Sequence, residues 1–314
     1  MISLTRDDVA VTARWGGSEL FRYVYLPDDP QAESPRPYFH PVRTLRGQLV
    51  TVYRPHDHVW HKGIALSLPH VNAENFWGGP TFRDGRYVQL PNDGAMRHVS
   101  FDGFAGDKDG KDGKDGIACF DERLRWVTES GQVPITERRR VAAAAWPGDD
   151  AWVLAFETAV TNASGAGIDI GSPTTEGRPN AGYGGLFWRG PRSFTGGAVI
   201  TPEGTGGDEL MGSRGPWLAF AGRHDGSSGA STLVFRDAPG NFCHPTQWFV
   251  RSTPFAAVCP APFFDKMRTL APGETLALSY QVVVADGELG PAACAALAAR
   301  AAAARLIQDT GGSD

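Results

Sequence analysis

The sequence predicts an all-β protein, a large antiparallel β-sandwich followed by a short C-terminal helix. Segments in which large apolar residues alternate with small or polar ones recur up to roughly residue 285, with turn residues between them. Glycine and proline, 39 and 23 of 314 residues, match a chain of many strands and turns. The sequence has neither a glycine-rich dinucleotide fingerprint that opens a helix nor a GxSxG elbow. We expect a single domain over residues 1–314.

The N-terminal part of the chain predicts short strands joined by tight turns. Residues 20–26 are aromatic and β-branched enough for a strand, which a proline-bounded turn ends. Residues 38–44 and 48–53 predict a hairpin in which Gly47 is placed for a positive φ. This hairpin leads into a histidine-rich stretch, and residues 64–68 predict the strand that follows it.

Two later segments show the alternation most clearly, and a helix ends the chain. The large residues predicted to share one face of each strand are Trp152, Leu154, Phe156 and Val160, then Leu276, Leu278, Tyr280, Val282 and Val284. A C-terminal helix is predicted over residues 290–308, because Pro291 suits a first helical position and an alanine-rich run follows. Leu297, Leu306 and Ile307 are its expected apolar contacts.

Residues 106–116, Gly-Asp-Lys-Asp-Gly-Lys-Asp-Gly-Lys-Asp-Gly, form a low-complexity repeat. Alternating Asp and Gly suggest calcium, but the ligand spacing and the distal glutamate of an EF-hand are missing. The interleaved lysines also cancel the carboxylate charge. We expect a flexible loop whose deletion changes stability little, because loop-closure entropy varies slowly with length.

Composition excludes several kinds of partner. The net charge is −5 and the basic residues are scattered, which argues against nucleic acid. No apolar stretch approaches the ~20 residues that span a bilayer, and the N-terminus lacks the pattern of a secretory signal. The four cysteines have no CxxC spacing, so we expect reduced thiols in a cytoplasmic protein. The sequence leaves a homo-oligomer open.

The stretch 53–63, Tyr-Arg-Pro-His-Asp-His-Val-Trp-His-Lys-Gly, predicts a functional site, because imidazoles cluster for metal binding, proton transfer or polar recognition. His56, His58 and His61 either hold a divalent metal, with His98 or His244 as a remote ligand, or act without one as acid and base. In a strand His56 and His58 would share a face and His61 would not, so a three-ligand site needs a bend. We favour the metal-free site, and a merely histidine-rich surface turn is the alternative.

Three further loops combine aromatic with ionisable residues, as sugar sites do: aromatic faces cover the apolar side of a pyranose, and charged groups bind its hydroxyls. These loops cover residues 174–180, 184–191 and 241–251, and a short segment at 262–265 follows. Core packing is the alternative for each tryptophan. A structural ion pair with Arg54, Arg178 or Arg189 is the alternative for the carboxylates of Asp57, Glu176 and Asp265.

The candidates fall into two groups, and we expect His56, His58, His61, Trp188 and His244 to line one pocket. The candidate catalytic residues are His56, His58, His61, Glu176 and His244. The candidate substrate-binding residues are Arg43, Trp60, Trp77, Trp188, Arg189, Trp248, Arg251 and Asp265.

From residue 38 to about 287 the chain resembles a bacterial family labelled "methane oxygenase PmoA-like". The shared marks are Tyr38-Phe39-His40-Pro41-Val42-Arg43-Thr44, Asp57-His58-x-x-His61-Lys62-Gly63, Asn75-Phe76-Trp77, Gly185-Leu186-Phe187-Trp188-Arg189-Gly190, His244-Pro245-Thr246-x-Trp248-Phe249-Val250-Arg251, Phe264-Asp265 and Leu270-Ala271-Pro272-Gly273-Glu274. The family more often has Pro-His where this chain has Val59-Trp60, and Arg where it has Lys62. Loss of that histidine weakens a metal site and leaves room for a stacking tryptophan.

The label implies a methane monooxygenase subunit, a helical membrane protein, which the lack of any bilayer-spanning stretch excludes. The predicted architecture is similar instead to the galactose mutarotase superfold, in which large sheets form a supersandwich. That is an analogy of architecture, and no catalytic residue carries over from it. The resemblance implies a role in sugar catabolism.

The leading hypothesis is therefore an enzyme that acts on a sugar or keto-sugar by histidine acid–base chemistry. It would be an epimerase or isomerase, a lyase or a glycoside hydrolase, with a small carbohydrate as its partner and no cofactor. A non-catalytic sugar-binding β-sandwich is one alternative, and a metal-dependent hydrolase or oxygenase is another.

Overall fold

A computed structural model of the protein describes residues 1–105, 116–304 and 306. In chain order the first strands are β1 (Ile2–Arg6), β2 (Ala10–Trp15), β3 (Ser18–Val24), β4 (Tyr38–Val42), β5 (Ile64–Val71), β6 (Glu74–Phe76), β7 (Thr81–Arg83), β8 (Arg86–Val88), β9 (Ala95–Ala105), β10 (Ala118–Val127) and β11 (Ile135–Trp146). The later elements are β12 (Ala151–Asn162), β13 (Ile168–Gly171), β14 (Gly185–Arg189), β15 (Ala198–Thr201), β16 (Gly204–Gly206), β17 (Trp217–Arg223), β18 (Ala230–Asp237), β19 (Gln247–Arg251), β20 (Ala257–Ala261), β21 (Arg268–Leu270), β22 (Thr275–Asp286) and the helix α1 (Pro291–Ala303).

Among the described residues, the strands form two large antiparallel sheets and a small hairpin of β7 and β8. The 11-stranded sheet has the order β1-β2-β3-β4-β5-β14-β20-β19, with β6 and β13 paired to β5 and with β21 paired to β13. The 9-stranded sheet has the order β16-β15-β17-β18-β22-β12-β11-β10-β9. The predicted all-β class is confirmed.

The two large sheets pack face to face through one hydrophobic cluster. The ring of Phe21 on β3 stacks on Trp152 of β12 at 5.8 Å, and Trp188 on β14 lies 5.6 Å from Phe235 on β18. All the large residues predicted to share a face of β12 or of β22 belong to this cluster. Alternation buries them because successive side chains of a strand point to opposite faces.

The predicted hairpin after β3 forms, although its return segment is irregular. The backbone of Val50 donates to Val42 O at 2.9 Å, and Thr44 N donates to Gln48 O at 2.9 Å. Gly47 has a φ of 84°, as predicted for the turn.

Helix α1 covers the outer face of the 9-stranded sheet, where Cys294, Leu297 and Ala298 pack with Val153 and Val283. The helix begins where predicted and ends at Ala303, before the predicted end. Leu306 joins the same cluster, whereas Ile307 lies outside the described residues. The predicted flexible loop, 106–116, lies outside them too, except for Gly116.

The four cysteines are unpaired. In the part of the chain that the structure describes, no helix is both long and apolar enough to cross a bilayer.

Candidate functional site

Strand alternation determines which aromatic residues face the space between the sheets and which face outward. On β14, Trp188 points between the sheets and Phe187 points to the outer face of the 11-stranded sheet. On β19, Trp248 points inward and Phe249 points outward. The outward rings form a second cluster with Trp77, and a pocket opens beside it.

The pocket has a volume of about 430 Å³, within the usual range for small-molecule sites. Its aromatic wall consists of Trp60, Trp77, Tyr87, Tyr183, Phe187, Phe249 and Phe255. Its polar side chains are those of His58, His61, Arg178, Asn180 and Arg251. Aromatic faces with a few polar groups are the surface that binds a sugar ring.

The histidine loop between β4 and β5 consists of two successive turns rather than a strand. The amide of His58 donates to Pro55 O at 3.0 Å, and the amide of His61 donates to His58 O at 2.9 Å. Such turns bring side chains three residues apart over one another. The His58 and His61 rings therefore stack, with centroids 4.7 Å apart and planes 13° apart. The expectation that alternation separates His61 from His58 is wrong for this reason.

A buried ionic cluster holds this loop in place. Lys62 Nζ, which has no exposed side-chain surface, lies 2.9 Å from Asp29 Oδ1 and also binds Glu33. Arg54 binds the same Glu33 at 2.6 Å, and a guanidinium nitrogen of Arg36 donates to Trp60 O at 2.7 Å. Removing one partner of a buried ion pair costs more than the pair itself contributes, so this cluster fixes the position of the loop.

Hydrogen bonds determine the tautomer of His61. A guanidinium nitrogen of Arg189 lies 2.8 Å from His61 Nδ1, and because arginine can only donate, Nδ1 accepts and the proton is on Nε2. Burial, together with the positive charge of Arg189, holds the pKa of His61 well below its usual value. His61 is thus a neutral imidazole, and among the described residues none bonds its Nε2–H.

Asp57 determines the opposite tautomer in His58. Partial burial alone would raise the pKa of the Asp57 carboxyl, but hydrogen bonds from Arg189 and His58 outweigh it and hold that pKa below its usual range. Asp57 Oδ2 accepts from Arg189 at 2.7 Å and lies 2.9 Å from His58 Nδ1. An ionised carboxylate can only accept, so His58 Nδ1 carries a proton, and in the neutral ring the lone pair is then on Nε2. The stacked rings thus offer a proton acceptor beside a hydrogen-bond donor.

Two glycines let Trp60 approach the backbone on one side of the pocket. Gly78 and Gly79 have φ values of 95° and 69°, and a Cβ on Gly79 would lie 2.6 Å from Trp60 Cδ2. A side chain at Gly79 would displace the indole.

The structure brings only some of the predicted site residues together. His58, Trp60, His61, Trp77 and Arg251 line the pocket, and Arg189 lies directly behind the histidines. His56 is exposed and bonds to Arg192 instead.

The remaining predicted residues lie elsewhere. His244 binds Asp237 at 2.7 Å, outside the pocket lining. Trp188 and Trp248 are fully buried between the sheets, where they donate to backbone carbonyls at 2.8 and 2.9 Å. The predicted convergence of Trp188 and His244 with the histidine loop is therefore wrong, and so is stacking by either buried tryptophan.

Three other candidates also lie apart from the pocket. Glu176 and Asp265 are exposed and do not line it, and Arg43 donates to Gly47 O at 3.1 Å within its own hairpin. Among the described residues, Glu176 forms none of the ion pairs considered as its alternative role. Asp57 does form one of them, with Arg189 at 2.7 Å.

Sequence reasoning missed most of the aromatic wall. Phe187 precedes Trp188, and Phe249 follows Trp248. The two motifs were found, but in each the inward tryptophan was chosen in place of the outward phenylalanine. Arg178 was considered only as an ion-pair partner for the candidate carboxylates. Tyr87 comes from the short strand β8 and Phe255 from the segment between β19 and β20, and neither belongs to a recognisable motif.

Each histidine considered as a metal ligand already uses its Nδ1 atom for a bond within the protein. His98 Nδ1 lies 2.7 Å from Glu122 Oε1, and the Nδ1 atoms of His58 and His61 already have partners. Within residues 1–105, 116–304 and 306, no three His, Cys, Asp or Glu side chains are grouped to hold a metal ion.

Comparison with known proteins gives a family and some distant structural neighbours. A family model described as "Family of unknown function (DUF6807)" matches residues 10–299, so the PmoA-like label is not confirmed. No curated protein matches the sequence.

Three of the similar solved structures show how distant the likeness is. An α-galactosidase from Lactobacillus brevis has a TM-score of 0.41 and 10% identity, over 92% of this chain and 40% of that one. An α-galactosidase from Geobacillus stearothermophilus, in complex with raffinose, has a TM-score of 0.38 and 11% identity, over 92% and 41%. A galactose mutarotase related enzyme from Lactobacillus acidophilus has a TM-score of 0.35 and 12% identity, over 90% and 97%. The chain thus spans about 40% of the length of the α-galactosidases.

Proposed function

The chain belongs to the DUF6807 family, and we propose that it is a carbohydrate-active enzyme that works by histidine acid–base chemistry. The observation that carries the proposal is the stacked pair of His58 and His61, whose Nε2 atoms have opposite hydrogen-bonding roles beside an aromatic pocket. A base and a hydrogen-bond donor next to each other are what proton abstraction beside a carbonyl requires.

In this mechanism His58 Nε2 takes a proton from a carbon next to a keto group of the sugar. Asp57 stabilises the imidazolium that forms, because its carboxylate already accepts the Nδ1 proton. His61 donates its Nε2 hydrogen bond to the carbonyl oxygen as negative charge develops there. Return of the proton gives an epimer or isomer, and loss of a β-substituent gives elimination. General acid–base catalysis of this kind contributes on the order of 10²–10⁴ in rate.

The aromatic wall would orient the ring. Trp60, Trp77 and Tyr183 offer faces for the apolar C–H side of a pyranose, and Asn180 offers an amide for its hydroxyls. The same pair would also serve hydrolysis at a glycosidic carbon, with His58 activating a water molecule.

The test is enzyme-dependent exchange of sugar C–H for deuterium in D₂O, followed by NMR over a panel of monosaccharides and 3-keto sugars. His58→Gln should abolish exchange, and His61→Gln should slow it. His224→Gln, which lies outside the pocket and bonds to Ser231, is the matched control and should retain full activity. Exchange that persists in His58→Gln would refute the proposed base.

Two other results would support the alternative functions. Sugar binding without exchange or new product in the wild-type protein would support a non-catalytic binding protein. Near-stoichiometric zinc, manganese or iron in protein purified without a His-tag, lost with activity in His58→Ala, would support the metal-dependent alternative.

A further inference from the structure

The charged side chains that line the pocket are all positive. Among the described residues that line it, Arg178 and Arg251 are the ones with a full formal charge, and neither aspartate nor glutamate is present. Arg178 belongs to the loop between β13 and β14, and Arg251 ends β19, so two separate elements bring cations to one cavity.

Neither guanidinium has a carboxylate partner in the part of the chain that the structure describes. Arg178 donates to the Tyr87 hydroxyl and lies over the Tyr87 ring at 4.7 Å. Arg251 lies 5.7 Å from the centre of the Phe249 ring. Both therefore rest on aromatic faces of the pocket wall, with their remaining N–H groups open to a ligand.

The other arginines near the site contrast with these two. Arg54 binds Glu33 at 2.6 Å, and Arg189 binds Asp57 at 2.7 Å. The positive charges of Arg54 and Arg189, beside the histidine loop, are thus neutralised by carboxylates of the protein. The charges of Arg178 and Arg251, which face the cavity, are not.

We propose that the ligand of this pocket is an anionic sugar, and that Arg178 and Arg251 bind its carboxylate or phosphate oxygens. This inference rests on the proposed function, because it names the substrate class of the same site. Guanidinium groups bind carboxylates and phosphates through pairs of parallel hydrogen bonds. Two like charges beside apolar walls are unfavourable without a counter-charge, and an anionic ligand supplies it. The anion would anchor the ring at the arginines and leave its other side to the histidine pair.

The experiment measures the quenching of tryptophan fluorescence by four probes: glucuronate, glucose 6-phosphate, glucose and inorganic phosphate. The two sugar anions separate a carboxylate from a phosphate as the preferred group. Each probe is titrated into the wild type, Arg178→Gln, Arg251→Gln and the matched control Arg214→Gln. Arg214 binds Gln247 and Pro245 and does not line the pocket. Thermal melting verifies that each variant folds, and Arg251→Lys tests the bidentate geometry without loss of charge.

At least one sugar anion should bind about 10-fold or more tightly than glucose, and higher ionic strength should weaken its binding. Arg178→Gln and Arg251→Gln should each lower the affinity of that anion about 10- to 100-fold and leave glucose unchanged. Arg214→Gln should behave as the wild type.

Equal affinity for glucose and both anions, or an anion preference that survives both variants, overturns the inference and leaves the sugar site standing. Arginine-dependent binding of inorganic phosphate without binding of any sugar supports the anion site and overturns the proposed function. If none of the four probes quenches the fluorescence, both are overturned.

Discussion

His61→Gln should weaken the dependence of stability on pH. His61 is only 4% exposed, and its pKa is held well below the usual value, chiefly by burial. The folded protein therefore keeps this imidazole neutral, while the unfolded chain binds a proton near pH 6.5. Because the unfolded state then binds more protons, stability is lost as the pH falls below that value.

The size of the effect follows from the proton balance. Each pH unit below about 6.5 lowers the free energy of unfolding by about 1.4 kcal/mol for a histidine that stays neutral in the fold. Between pH 7 and pH 5 the loss from His61 is then about 2 kcal/mol. Glutamine removes the titration but keeps an acceptor for Arg189.

Urea denaturation at pH 7 and pH 5 gives the loss of unfolding free energy between the two pH values. The contribution of His61 is the difference between that loss in the wild type and that loss in His61→Gln. That difference cancels groups common to both, including Asp93, whose pKa burial raises to about 7 and whose titration acts in the opposite direction. Phe187→Leu is the control, because Phe187 packs on the His61 ring at 4.6 Å and does not titrate. The reasoning fails if His61→Gln loses as much stability as the wild type between the two pH values.

Three further outcomes are expected. Lys62→Met should lower the free energy of unfolding by about 3–5 kcal/mol in urea denaturation, since it leaves the Asp29 carboxylate buried without a cation and Glu33 with Arg54 alone. A loss under about 1 kcal/mol would contradict the anchoring role. Asp57→Asn should move the His58 proton from Nδ1 towards Nε2, as ¹⁵N NMR detects, and slow sugar C–H exchange about 10²-fold or more; an unchanged tautomer would argue against it. Cys259, whose pKa burial raises to about 12, should resist iodoacetamide at pH 8 until the protein is unfolded, and mass spectrometry of the native protein checks this.

Local pattern was enough to predict several of the strands and the inward faces of two of the longest, β12 and β22. Along β12 and β22 one set of alternate residues is large, so period-two reasoning found the side that packs between the sheets. It failed on β14 because both faces of that strand are buried, which removes the contrast that identifies the inner face. Trp188 was therefore chosen for a position that Phe187 occupies.

The arrangement of the histidine loop depends on partners distant in sequence. Lys62 is held by Asp29 and Glu33, about thirty residues before it, and Arg189 reaches His61 from a different strand. No local pattern contains those contacts, so the stacking of the rings was not predictable even though the histidines themselves were. The pocket wall was unpredictable for the same reason, because its aromatic residues come from turns and strands that meet only in the folded chain.

Gly79, which packs against Trp60, makes the shape of the cavity sensitive to the addition of a single methyl group. A Cβ on Gly79 would come within 2.6 Å of the indole, which would have to swing aside and change the shape of the cavity. The indole also packs against the His58 ring, with centroids 5.3 Å apart, so its displacement would change the packing of that histidine. A residue larger than glycine at position 79, where φ is 69°, would therefore change the shape of the cavity and the surroundings of the proposed base together.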